Sequence, residues 1–417
     1  MSTTLEHYTA VLTKMTRASR TDSAAQLLGL QCLAPLFSDK NLESLEREKV
    51  TEVLETVSHL TKAVHRAVTS NMSNARVASL GLRICAHICG LEALQSTCEA
   101  LIFKENIFDT AVEILRTHVN GNDVAVVRSS LCLLNTLLFR TSNSGIIKFQ
   151  RINQIGETLN NTIKQHIDDA PTVEWVLATS SYIGEQGGRG LPKSICMCMS
   201  THPTDAGVVR SGLSACCSLA RSSEMNRMVL LNSGCFSIVR SVLDLRPAHR
   251  DVVVSCSILI CNLLRTTVGQ QIFKTDSDDR LVRLLAGCLP HTSELDYSSS
   301  FTFTLRSVLT CLAMISLSSE PARHLLVDSC GVDSSIEKFL ELKLPTVRLR
   351  FDIEFSLAAI RGELEKDAKD QLLKEMKEGS DGTKLFDGAL SLKEQRGKVM
   401  KPTRDHNGVV GMKMGSA

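Results

Sequence analysis

The chain repeats itself. Leu28-Gly29-Leu30-Gln31-Cys32-Leu33 returns 52 residues later as Leu80-Gly81-Leu82-Arg83-Ile84-Cys85. A related frame, Val or Leu followed by Arg-Ser-x-Leu, opens the segments beginning at Val127, Val209 and Leu305. With weaker copies around Leu177, Ser257 and Phe351, equivalent positions fall at 30, 82, 131, 177, 213, 257, 309 and 351, a mean spacing of about 46 residues. A unit of that size cannot bury its apolar face alone, so neighbouring units must stack.

A second kind of segment lies between these copies. Asn232-Ser233-Gly234 precedes an apolar-periodic stretch from Cys235 to Leu243, and Asp328 to Gly331 precedes another from Val332 to Leu340. Both read as a polar turn followed by an amphipathic helix. Residues 106–115, 155–163 and 280–285 hold the same place in their units, and in each the apolar residues recur every three or four positions, the helical period. Composition agrees: hydrophobic residues make up 43% of the chain and aromatics only 4%, a mix suited to close helix-on-helix packing and an all-α fold.

A turn with Gly, a helix ending in apolar residues and an Ala/Leu-rich following helix resemble the armadillo repeat. The likeness covers about residues 20 to 361 and is strongest at Asn232 to Leu243 followed by Val252 to Leu264. HEAT repeats, which lack the short first helix, are the close alternative. The resemblance implies a right-handed superhelical armadillo/HEAT-like solenoid of about eight degenerate repeats with a long concave face. The expected organisation is a solenoid over 1–361, a charged amphipathic capping helix over 362–378, and a tail over 379–417 that lacks apolar periodicity and is expected to be disordered alone. Within the tail, Leu385-Phe386 or the basic stretch from Lys393 to Arg404 could dock a partner.

In armadillo proteins the third helix of each repeat lines the groove, and members that read nuclear localisation signals carry a Trp and, four residues later, an Asn. Here the Trp position holds Gln31, Arg83, Cys132, Ala178, Ser214, Ile258, Thr310 and Asp352, and the Asn position matches only at Asn262. That recognition mode is therefore not expected. One turn earlier on the same helical face lies a different stripe, Arg128, Arg210, Arg306 and Arg348. Planar guanidinium donors there would hold carboxylates or carbonyls of an acidic peptide or helix; the alternative is that they bridge neighbouring repeats. The full set of candidate partner-binding residues is Arg128, Arg210, Arg306, Arg348, His87, Tyr182, Ser218 and Asn262.

No catalytic or cofactor motif emerges. Cys216-Cys217 and Cys196-Met197-Cys198 lack paired Cys-x-x-Cys and His spacing, and alternate residues on a helix point apart, so core filling is the expectation and no metal site is assigned. Gly184 to Gly190 lacks the phosphate-loop order and is read as an inter-helix turn. His87 and His118 are read as structural. Trp175 and Tyr182, placed on one helix, are either core or binding anchors. With 47 basic against 45 acidic side chains there is no strong field to draw nucleic acid or anionic lipid. Fifteen cysteines scattered along apolar helical stretches suit a reducing compartment, and neither a signal sequence nor a membrane-spanning segment is expected.

The expected function is a non-catalytic cytoplasmic scaffold or adaptor, with no cofactor, that binds a peptide or helix along the groove. A cytoskeletal or ciliary assembly is one setting for it. The competing expectation is a regulatory subunit or chaperone-like cofactor that changes the activity of a partner enzyme.

Overall fold

A computed structural model describes residues 10–11, 14–15, 22–33, 61–90, 99, 102, 105–121, 123–141, 149–184, 190–246, 249–275, 279–290, 298–342, 344, 346–364, 367 and 370. The expected tail over 379–417, most of the capping helix and most of the Gly184 to Gly190 loop lie outside them. Regular structure among the described residues is helical throughout. By packing, the chain divides into two compact units, Met1–Val268 and Gly269–Ala417.

In the first unit the long helices α1 (Ser23–Leu33), α2 (Ala75–Gly90), α4 (Val124–Thr141), α6 (Ala170–Ser180), α8 (Ala206–Ser222) and α11 (Arg250–Leu264) each pack on the next. They carry positions 30, 82, 131, 177, 213 and 257, so the sequence period is the packing period. A second row, α3 (Ile107–His118), α5 (Phe149–His166), α7 (Leu191–Thr201) and α10 (Cys235–Leu245), lies against the first. Leu30, Leu82, Leu131, Leu177 and Leu213 are all fully buried between the rows. An extra short helix, α9 (Glu224–Asn232), meets α10 at a bend of 69°, which makes residues 224–264 a three-helix, armadillo-like unit. The described parts of 107–141, 149–180 and 191–222 present two helices each.

The second unit contains α13 (Asp279–Gly287) with α14 (Ser299–Ser318), and then α15 (Glu320–His324), a π turn (Leu325–Ser329), α16 (Val332–Leu340) and α17 (Val347–Arg361). Helix α12 (Thr267–Thr275) carries the division between the units. Residues 320–361 again form a short, medium and long helix, and α17 packs on α14. Ser300–Ser318 is long and apolar enough by composition to cross a membrane, but 72% of it is buried inside the unit, where Leu305, Leu309 and Leu312 fill the core. A fully packed helix needs apolar residues all round, which gives it the composition of a membrane span.

Local rules set the ends of these helices. The second-row helices of three units start from a left-handed residue: Asn106 (φ 53°) before α3, Gly234 (φ 76°) before α10 and Gly331 (φ 59°) before α16. Several long helices start from side-chain caps, as where Asp205 accepts from the Val208 amide at 2.9 Å and Ser298 from that of Phe301 at 3.1 Å.

Repeats are also tied end to end. His118, His166 and His202 close α3, α5 and α7, and the Nε2 atom of each meets a backbone carbonyl of the preceding repeat: Met72 at 2.7 Å, Val119 at 3.0 Å and Ile167 at 2.6 Å. Arg246 takes this place after α10, donating to the Thr204 carbonyl. At the far ends of the long helices, Arg140 Nε donates to the Cys89 carbonyl at 3.2 Å and Arg265 to that of Arg221 at 2.9 Å. A cation at a helix C-terminus satisfies orphan carbonyls and complements the helix dipole.

Candidate interaction surface

The long helices of the first unit bury most of their circumference and leave one row in solvent. At the frame of Gln31 the row continues through Arg83, Cys132, Ala178, Ser214 and Ile258, every one exposed or half-buried. One turn further lie His87, Thr136, Tyr182 and Ser218, all half-buried. The row is narrow-sided at its centre, where Cys132, Ala178 and Ser214 are small, and cationic at Arg83, which acts electrostatically on the Cys132 thiol. Burial still carries that thiol above its ordinary value.

Asn262 lies apart from this surface. It is 1% exposed and its side-chain oxygen accepts from Arg265 at 3.4 Å, because α11 is covered on that side. In the second unit the frame is covered too: Thr310 and Asp352 are buried.

The four sequence-selected arginines occupy different settings. Arg128 is held in a two-oxygen ion pair with Asp169 at 2.6 and 2.8 Å, and its Nε donates to Thr172 at 3.0 Å. Asp169 also accepts from the Thr172 hydroxyl. Burial pushes the Asp169 carboxyl up, but hydrogen bonds from Arg128 and Thr172 outweigh it and hold the group below the usual carboxylate range. Arg306 and Arg348 converge on Asp352, at 2.6 and 3.1 Å. Asp352 is 1% exposed, and burial lifts its carboxyl above the ordinary value against the pull of the two guanidiniums. These three arginines therefore bind carboxylates of their own chain: Arg128 and Arg306 reach across to a neighbouring repeat, and Arg348 pairs four residues along its own helix. Arg210 differs: it is 67% exposed, with Glu174 of the neighbouring long helix 3.8 Å away.

Sequence reasoning passed over Phe139. It is 59% exposed at the end of α4 and meets Tyr182 edge-to-face, with ring centroids 6.3 Å apart. Tyr182 sits in the turn after α6, which ends at Ser180, so it leaves the helix that carries half-buried Trp175. The pair forms only where two repeats meet, and no spacing rule in the sequence announces it.

Among the described residues, one cluster could ligate a metal. The Sγ atoms of Cys196 on α7, Cys216 on α8 and Cys235 at the start of α10 lie within 4.8 Å of one another. Cys198 and Cys217 are not part of it; Cys217 donates to the Ser255 carbonyl at 3.2 Å.

No protein-family model matches the chain, and no curated protein matches its sequence. Among solved structures it is similar to a designed armadillo repeat protein at 14% identity, over 69% of this chain and 94% of that one, with a TM-score of 0.37. It is similar to an engineered protein at 14% identity, over 73% and 97% of the two chains, with a TM-score of 0.38. The armadillo-like character of the fold rests on the chain's own helical units.

Proposed function

We propose that the protein is a non-catalytic, cytoplasmic interaction scaffold that takes a peptide or helical segment on the exposed row of the first unit's long helices. The observation that carries this reading is the row itself: five adjacent helices leave Arg83 and Ser214 exposed and Cys132, Ala178 and Ile258 half-buried along one face. Small side chains at its centre let a partner backbone approach closely. The Phe139–Tyr182 pair offers an aromatic anchor of the kind that concentrates binding energy. Arg83 and Arg210, both exposed, favour an acidic partner. Fourteen described cysteines are free thiols, which fits a reducing compartment.

The test is affinity capture with a Phe139→Ala/Arg83→Glu double variant of the full chain, its fold checked by circular dichroism. Recovery of the partners bound by the wild type should fall at least tenfold, the loss of one anchor worth about 1.4 kcal/mol or more. Equal recovery by a folded variant would remove the row from the binding surface.

A further inference from the structure

Three cysteines meet at one point of the first unit although they come from three helices and two repeats. Cys196 lies in α7, Cys216 in α8 and Cys235 is the first residue of α10, and all are buried, at 2%, 0% and 2% exposure. Fourteen described cysteines line this chain, and buried cysteine ordinarily serves as a small apolar filler with no need for its sulfur to face another. Among the described residues this is the one place where three potential ligand atoms converge.

We propose that Cys196, Cys216 and Cys235 form a three-sulfur site for a soft, thiophilic cation, Cu(I) in the first place. The spacing suits it: with metal–sulfur bonds of about 2.3 Å, a trigonal site needs sulfurs about 4.0 Å apart, so the cluster, at no more than 4.8 Å, closes by shifts below about 1 Å. The ligand set suits it too. Thiolates select soft ions, while structural zinc takes four ligands, and no fourth His, Cys, Asp or Glu among the described residues joins the group.

Ligation requires thiolates, and one of the three ligands stands at a helix end that suits them. Cys235 stands at the N-terminus of α10, next to left-handed Gly234, where unpaired amides and the helix dipole stabilise negative charge. A bound ion would staple the repeat at 191–222 to the one at 224–264.

The full chain, reduced and stripped of metal, is titrated anaerobically with Cu(I) against a Cu(I)-specific chelator. The expected result is one tightly held equivalent with three sulfur neighbours by X-ray absorption. Cys216→Ala should weaken that equivalent at least a hundredfold, while Cys132→Ala, outside the cluster, leaves it unchanged. A tight equivalent that survives Cys216→Ala, or Zn(II) held more tightly than Cu(I), overturns the assignment. Wild-type protein supplies a measurement that needs no variant: pulse alkylation in partially denaturing urea, with peptide mass mapping. Cu(I) should slow modification of Cys196, Cys216 and Cys235 at least tenfold more than that of buried Cys85 and Cys256. Uniform slowing across all five rejects the site.

Discussion

At the scale of single residues, several charged side chains join one repeat to the next. Asp169 is the clearest case. It takes two bonds from Arg128 across a repeat boundary, and its folded-state carboxyl lies below the usual range. The sign of the linkage follows. Above the unfolded value of about 3.9 the ionised pair contributes its full stability, and that contribution is lost as pH falls from there through the depressed folded value. Asp169→Asn should therefore lower the melting temperature at pH 6, and the gap from wild type should narrow steadily toward pH 3. A gap independent of pH would mean that Asp169 acts through packing alone. Asp352 shows the opposite balance, since its deep burial outweighs two arginines.

Among elements, the spacing between the rows is set by small residues at one frame position. Gly29, Gly81 and Gly212 immediately precede buried Leu30, Leu82 and Leu213. The place a Cβ would take is filled by Met15, Val68 and Met199 respectively. The methionines can bend away; the branched Val68, itself fully buried, cannot. Gly81→Val should consequently cost about 2 kcal/mol through overpacking, read as a shift in the urea midpoint. An unchanged midpoint would show that α2 and residues 61–70 can separate at no cost.

For the whole molecule, repeats that contact chiefly their neighbours make stability a sum of local and nearest-neighbour terms. Damage should then stay near its source. In native-state hydrogen exchange, Gly81→Val should lower protection most strongly in α2 and α4 and least in α14 and α17 of the second unit. Uniform loss of protection over both units would show that the chain unfolds as one cooperative body.

The period of about 46 residues, with apolar residues every three or four positions, already determined an all-α stack and which leucines fill it, because burial of one helix face must be written into local sequence. Turn residues such as Gly234 and Gly331 marked where second-row helices begin, since few residues tolerate a positive φ. The histidine series at 118, 166 and 202 was present as a repeat-spaced signal, yet its carbonyl partners lie about one repeat away and no local rule names them. Only the tertiary structure decided which polar residues face water. The Arg128, Arg306 and Arg348 frame pointed outward by helical geometry, but Asp169 and Asp352 had folded onto it. Exposure of Phe139 beside Tyr182 and the meeting of Cys196, Cys216 and Cys235 likewise depend on how separate helices are set against each other. Periodicity fixes a helix's inward face; contacts between residues tens of positions apart exist only once the helices are packed.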